Sequence, residues 1–274
     1  MLVSTHDAQI HYVVRGDGPA CLVVSLIGTA PYERQLPPAL DAHLRLAFLD
    51  PRGGGRSTGQ ASDLTFDRLA DDLDAVCEAL GADRVLLFGH SIVGMLVLEA
   101  ARRLGERAAG VIAVGLPPHG DVAALGAEGE RRFAAEASEE RRAILRDNLA
   151  CLPAGTPPAQ AMYAQTPLRF FDPRFDAPPL FAGAEVRPEL FGRVLGELAP
   201  GWNAGESLDA LGAAGIPVLL AHGLHDYVVP VGFAEQLAAG HPGATLRIFE
   251  RSGHQPFVEE PEAFVAAIEE WLDG

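Results

Sequence analysis

The chain is poor in cysteine: Cys21, Cys77 and Cys151 are its only three, and no two of them stand at the close spacing of a metal or redox motif. They read as reduced structural residues, so thiol chemistry and a disulfide framework are set aside. The start of the chain lacks a basic segment followed by an apolar run and a cleavage site, and no uninterrupted apolar stretch nears the roughly 20 residues that cross a bilayer. A soluble, cytoplasmic protein is expected. Positive charge is scarce as well, with 21 Lys and Arg against 37 Asp and Glu and a formal net charge of −16. No local basic cluster reverses that balance, and such a surface repels phosphate, which excludes nucleic acid and anionic membrane as partners. Internal repeats and low-complexity tracts are missing too.

Apolar material, in contrast, is ample. With 48% hydrophobic residues, a chain of 274 residues can bury a sizeable core, so one domain carrying a smaller insertion is expected. Short β-rich runs alternate with amphipathic helical stretches, the order produced when crossover helices cover both faces of a largely parallel sheet. The fold class is α/β. Residues 8–15 and 20–26 flank the turn signal Gly16-Asp17-Gly18-Pro19 and read as an opening antiparallel hairpin. Apolar runs at 46–49, 85–88, 110–114 and 217–221 read as central strands buried on both faces, with 245–249 as the last. Residues 64–80 put Leu69, Leu73, Val76 and Leu80 near helical spacing, with Asp71, Asp72 and Asp74 on the opposite side.

From residue 117 to 208 the strand signal disappears, which predicts a helical cap inserted after the strand near residues 110–115, with 1–116 and 209–274 forming the core. Residues 130–149 space Phe133, Ala137, Ile144 and Leu149 along one loosely apolar face, and Pro153, Pro157 and Pro158 then break the helix. Phe170, Phe171, Phe175, Phe181, Phe191 and Trp202 concentrate in the cap. Most such aromatics form a cap's own core, and a minority line an acyl pocket.

The chemistry centres on one strand end. The run Val85-Leu86-Leu87-Phe88 leads directly into Gly89-His90-Ser91-Ile92-Val93-Gly94, after which residues 95–104 have helix-forming composition and Gly105 ends them. A strand, a sharp turn, a serine and a helix hold a hydroxyl exposed at a strained position, with the helix start beneath a forming oxyanion. The pattern Gly-x-Ser-x-Gly is met except that Val93 occupies the second glycine position and Gly94 comes one residue later. Taken alone, the motif fits a helix-capping serine as well as a nucleophile. A nucleophilic serine requires a histidine base and an orienting acid, and both follow in the order Ser, Asp, His. Asp226 lies on the loop His222-Gly223-Leu224-His225-Asp226-Tyr227 after one strand, and His254 on Arg251-Ser252-Gly253-His254-Gln255-Pro256 after the next. Loops at the carboxyl ends of strands are where open sheets gather ligands.

Carried by these three elements, the sequence resembles the α/β-hydrolase superfamily from its first strands to its final helix, with the cap least well matched. The run from Asp50 to Ser57, Asp-Pro-Arg-Gly-Gly-Gly-Arg-Ser, is similar to the Asp-x-Arg-Gly-x-Gly-x-Ser loop of proline iminopeptidases and many esterase-like relatives, where it largely shapes the site. Ser25-Leu26-Ile27-Gly28-Thr29 lacks the His-Gly-Gly-Pro-Gly version found in proline iminopeptidases and looks closer to the Ser-Leu-Gly-Thr loop of 3-oxoadipate enol-lactonases. The resemblance implies an α/β-hydrolase fold, Ser91, Asp226 and His254 as catalytic triad, and the backbone N–H groups of Ile92 and Ile27 as oxyanion hole.

Blander readings account for other residues. His222, His225 and Asp226 stand close in sequence, yet His222 and His225 need not face one direction and further metal ligands are missing. His90 reads as a packing or loop-positioning residue, and His43, His119 and His241 as surface residues. Turn formation and local ion pairs account for Asp50, Arg52 and Asp83.

The expected activity is hydrolysis of a small or medium, fairly apolar carboxylic ester or lactone through an acyl-enzyme on Ser91, with neither metal nor organic cofactor and a small-molecule acyl substrate as partner, the oligomeric state being open. A proline iminopeptidase-like aminopeptidase is the alternative, and a non-catalytic small-molecule receptor on the same scaffold is the rival from another class. Carbon–carbon bond hydrolysis and cofactor-independent haloperoxidase chemistry occur on this scaffold too, so fold alone does not choose.

Overall fold

Alternation within the apolar runs decides the architecture. In β3 (Ala20–Val24) Cys21 and Val23 join one core cluster while Leu22 and Val24 join another. In β5 (Val85–His90) Leu86 and Phe88 part in the same way from Val85 and Leu87. A strand buried on both faces needs cover on both, which flanking helices supply. The computed structural model describes residues 1–156, 161, 162 and 164–274. The remaining strands are β1 (Leu2–Ser4), β2 (Gln9–Arg15), β4 (Arg45–Leu49), β6 (Ala108–Val114), β7 (Val218–Gly223) and β8 (Ala244–Phe249). Together they form an eight-stranded sheet in the order β1-β2-β4-β3-β5-β6-β7-β8. It is parallel from β4 to β8 and antiparallel at the β1 and β2 edge.

The hairpin expected from residues 8–15 and 20–26 does not form. β4 lies between the two strands, so that Leu49 faces Tyr12 of β2 on one side and Val24 of β3 on the other. Gly16 and Gly18 do turn the chain, at φ 82° and 121°, but the turn carries it past the position of β4. Leu46, Ala47, Phe48 and Leu49 are all buried. Such a strand gains more from an interior position than β2, whose end is half exposed, would gain from a local partner. The true hairpin pairs β1 with β2, Leu2 opposite His11.

Two helical layers close the sheet. α2 (Phe66–Leu80), α3 (Val93–Leu104) and the helix Ala204–Ala213 bury Leu69, Leu73, Val76, Leu96, Leu208 and Leu211 in the larger cluster. α1 (Thr29–Gln35) and the final helix Pro261–Asp273 cover the other face with Tyr32, Phe264 and Ile268. Thr65 caps α2 by accepting from Arg68 N at 3.1 Å, a bond whose loss typically costs about 1 kcal/mol. Gly81 ends the same helix at φ 63°.

No strand interrupts the described residues between β6 and β7. The single helix expected over 130–149 is two, α4 (Val122–Glu136) and α5 (Glu139–Ala150). Ala137 turns extended between them, and the Ser138 side chain accepts from Arg141 N, starting a new helix without any proline or glycine. Pro153 follows the end of α5, while Pro157 and Pro158 lie outside the described residues. The boundary expected at residue 208 falls inside the helix Ala204–Ala213, whose Ala204, Leu208 and Leu211 belong to the larger core cluster together with Trp202. Among the described residues no helix is long and apolar enough to cross a membrane.

Candidate active site

Ser91 stands where β5 gives way to α3, with φ 57°, and is the only non-glycine at positive φ among the described residues. An L side chain there costs of order 1–3 kcal/mol and persists only when its surroundings over-determine it. Ser91 N donates to Val114 O of the neighbouring strand at 2.7 Å, and Gly94 N donates to Ser91 O at 2.8 Å. Gly89 is required, since a Cβ on it would meet Val97 Cγ2 at 2.5 Å and Val93 O at 2.7 Å. The departure at Val93 resolves locally: Val93 is buried in the core, and the close approach falls on Gly94, where a Cβ would lie 2.6 Å from Leu116 Cδ1.

Asp226 and His254 meet on the same sheet edge. His254 Nδ1 donates to Asp226 Oδ2 at 2.7 Å, which leaves Nε2 with its lone pair. Asp226 Oδ1 accepts from Val228 N at 2.8 Å and Val229 N at 2.9 Å, so its own loop fixes the carboxylate independently of the histidine. Burial pushes this carboxyl upward, but the His254 imidazole and the backbone donors outweigh it and hold the carboxyl below its ordinary value. Gly115, at φ 57°, makes room for the pair, since a Cβ there would lie 3.2 Å from the His254 ring.

Ser91 Oγ makes no hydrogen bond among the described residues, and its link to His254 runs through the preceding residue. His90 Nε2 donates to His254 O at 2.8 Å, and Tyr32 Oη donates to His90 Nδ1 at 2.9 Å. Those partners fix the tautomer, and burial drives the His90 imidazole well below its ordinary range, so it stays neutral. Unliganded sites often close the serine–histidine bond only when substrate binds.

The two amides expected to face an oxyanion differ. Ile92 N lies at the start of α3, among the donors a helix leaves unpaired. Ile27 N already donates to Ser25 Oγ at 3.2 Å, and Ser25 Oγ donates to Gly28 O at 2.6 Å.

Three other groups have partners of their own. His222 Nε2 donates to Val229 O at 2.6 Å while the His225 ring packs on Phe171, so the two imidazoles do not converge. Arg52 is buried against both oxygens of Asp72, and Asp50 accepts from His11 Nδ1 at 3.0 Å. Phe170 stacks on Phe175 with centroids 4.4 Å apart, and Phe191 and Trp202 pack into the main core.

A strap of the inserted region, residues 167–171, was not legible in the sequence. Arg169 O accepts from His254 N at 2.6 Å, Leu168 O accepts from Tyr227 N at 3.1 Å, and Phe171 N donates to Glu259 Oε1 at 2.6 Å. Glu259 Oε2 accepts from Gly253 N at 2.7 Å, and burial pushes this carboxyl up to about 7. Arg141 of α5 holds the strap through the carbonyls of Pro167, Phe170 and Phe171. A helical residue's reach across about 30 positions of chain leaves no periodic signal.

Comparison with known proteins agrees with this fold. A family model described as alpha/beta hydrolase fold matches residues 21–146. The proline iminopeptidase of Neisseria meningitidis serogroup A is 30% identical over 257 residues, covering 83% of this chain and 80% of that protein. The AB hydrolase superfamily protein YclE of Bacillus subtilis is 27% identical over 279 residues, covering 97% and 95%. The solved structure of an alpha/beta fold family hydrolase from Bacillus anthracis superposes with a TM-score of 0.74 at 20% identity, covering 98% of both chains. With this sheet order, a serine at the strand-to-helix turn and a relative of that similarity, the chain belongs to the α/β-hydrolase family.

Proposed function

We propose that the protein is a serine hydrolase that cleaves a small or medium, fairly apolar carboxylic ester or lactone through an acyl-enzyme on Ser91. The observation that carries this reading is a serine held at φ 57° on the sheet edge that also presents the His254–Asp226 pair at 2.7 Å. His254 Nε2 takes the Ser91 proton as the hydroxyl attacks the acyl carbon, and Asp226 holds the imidazolium that forms. The same proton then passes to the leaving oxygen, and His254 next deprotonates a water that releases the acid. Ile92 N–H is the first oxyanion donor and Ile27 N–H the second, the latter turning from Ser25 Oγ as charge develops. Loss of one such donor costs about 2.7–4 kcal/mol of transition-state stabilisation. The inserted region between β6 and the helix Ala204–Ala213 acts as the cap over this edge, and the setting is a cytoplasmic small-molecule reaction.

The 30% identical proline iminopeptidase favours an aminopeptidase as the second reading. An amine-binding site needs free carboxylates, yet Glu185 beside the Ile27–Gly28 loop lies 3.5 Å from the Arg56 guanidinium. Labelling of the wild type and Ser91→Ala by a fluorescent fluorophosphonate tests the nucleophile, with p-nitrophenyl butyrate and a proline arylamide assayed in parallel. Ser91-dependent labelling with ester turnover is expected. Preferred arylamide turnover selects the aminopeptidase, and folded protein that neither labels nor turns over either substrate is a receptor.

A further inference from the structure

Two arginines, Arg52 and Arg141, are drawn into the interior, a third, Arg169, is half-buried, and the three are treated differently. Arg52 has Asp72 and Asp7 as partners, and Arg141 has three backbone carbonyls. Arg169 has none: its Nε is sealed from solvent without an acceptor, and its guanidinium makes no hydrogen bond or ion pair among the described residues. A guanidinium presents five donors and stays protonated in proteins, so sealing its Nε without an acceptor is unfavourable. The chain carries 37 acidic residues, yet none is placed to meet this one.

The position of Arg169 is that of the site itself. Its carbonyl accepts from His254 N at 2.6 Å, and Gly253 packs so tightly on its backbone that a Cβ there would lie 2.3 Å from Arg169 O. Its charge acts on Asp226 and on His90, both beside the catalytic loops. Asp226 has no oxygen to spare, because Oδ1 takes two backbone donors while Oδ2 takes His254 and lies 3.5 Å from His222. His90 is neutral, with both ring nitrogens engaged.

We propose that Arg169 is the anion anchor of this site and that the acyl substrate bears a carboxylate, which the guanidinium grips while Ser91 attacks the ester carbon. A carboxylate matches the planar fork in the two-bond geometry that Arg favours. The proposal rests on Ser91 as the nucleophile and narrows the substrate to an otherwise apolar ester with one anionic end.

The test compares mono-p-nitrophenyl glutarate with neutral p-nitrophenyl butyrate, using the full chain as wild type, Arg169→Gln and Arg169→Lys. The ratio of kcat/KM for the anionic over the neutral ester should exceed one in the wild type, fall about 30-fold in Arg169→Gln, chiefly through KM, and recover in part in Arg169→Lys. An unchanged ratio in Arg169→Gln overturns the anchor. Glutarate added to Ser91→Ala protein gives a second readout that needs no turnover: it should raise the melting temperature, and Arg169→Gln should abolish the rise. Arg169-dependent glutarate binding without turnover of either ester sinks the hydrolase reading and leaves the anion site standing. Ser91-dependent turnover with neither readout sensitive to Arg169 sinks the anion site and leaves the hydrolase standing.

Discussion

Two polar clusters lie buried at the carboxyl edge of the same sheet, and they are built on opposite terms. At the end of β4 the Arg52 guanidinium meets both oxygens of Asp72 and one of Asp7, and Asp50 close by takes His11 and the Arg56 amide. Within this cluster the fold is its own partner for Arg52. At the ends of β5 and β7 the donors and acceptors are satisfied only up to a point: Ser91 Oγ and the Arg169 guanidinium have no partner among the described residues. The first cluster fastens a loop and leaves only Asp50 Oδ1 without a partner, whereas the second keeps a serine hydroxyl and a guanidinium open for a molecule that arrives later. Open valences at a strained site are where stability is given up for function.

The largest expected effect separates the two clusters by activity. Ser91→Ala should lower ester turnover by about 10⁵-fold or more while shifting unfolding free energy by no more than about 0.5 kcal/mol. Turnover within tenfold of wild type would remove the second cluster's claim to function. Arg52→Met should do the reverse, costing about 3–5 kcal/mol in urea unfolding because Asp72 is left buried without its cation. Arg169→Met should move stability the other way, upward, since it removes a cation that has no partner. Equal destabilisation by both substitutions would erase the contrast between a closed and an open cluster.

Gly115→Ala sharpens the second cluster further. Its Cβ would press on the His254 ring at 3.2 Å from a backbone at φ 57°, so kcat should fall about 10²-fold and stability by about 1–2 kcal/mol. The smallest effect concerns pH. The folded state holds the Glu259 proton up to about 7 against an ordinary value of 4.5. Its contribution to stability is therefore complete below about 4.5 and is lost as pH rises through 7. The melting temperature of the wild type relative to Glu259→Gln should fall between these limits, and a constant difference would show that Glu259 does not titrate there.

Much of this architecture was written in local pattern. Runs such as Leu86-Leu87-Phe88 name a doubly covered strand, because each face of the sheet claims alternate residues, and the order Ser91, Asp226, His254 needs only strand ends to bring it together. The failed hairpin shows the limit. Turn residues at Gly16 and Gly18 state that the chain bends, but the partner of β2 is decided by which strand gains most from the interior, and that is a property of the whole sheet. The break at Ala137 and Ser138 escaped because a capping serine inside a polar run looks like any other surface serine. Arg169 and Glu259 were illegible for a deeper reason. Their meaning lies in what does or does not stand opposite them, and a linear sequence carries no record of opposition.

The bond from His254 N to the carbonyl of Arg169 makes the inserted region part of the base's mounting. A lid that merely shaped a pocket could be exchanged between relatives as a specificity cassette. In this chain such an exchange would also remove the acceptor that seats the histidine loop, so a chimera would inherit a new pocket together with a misaligned proton acceptor. Transplanting residues 167–171 with Arg141 and Glu259 as one block is the smallest graft that keeps recognition and proton transfer in register.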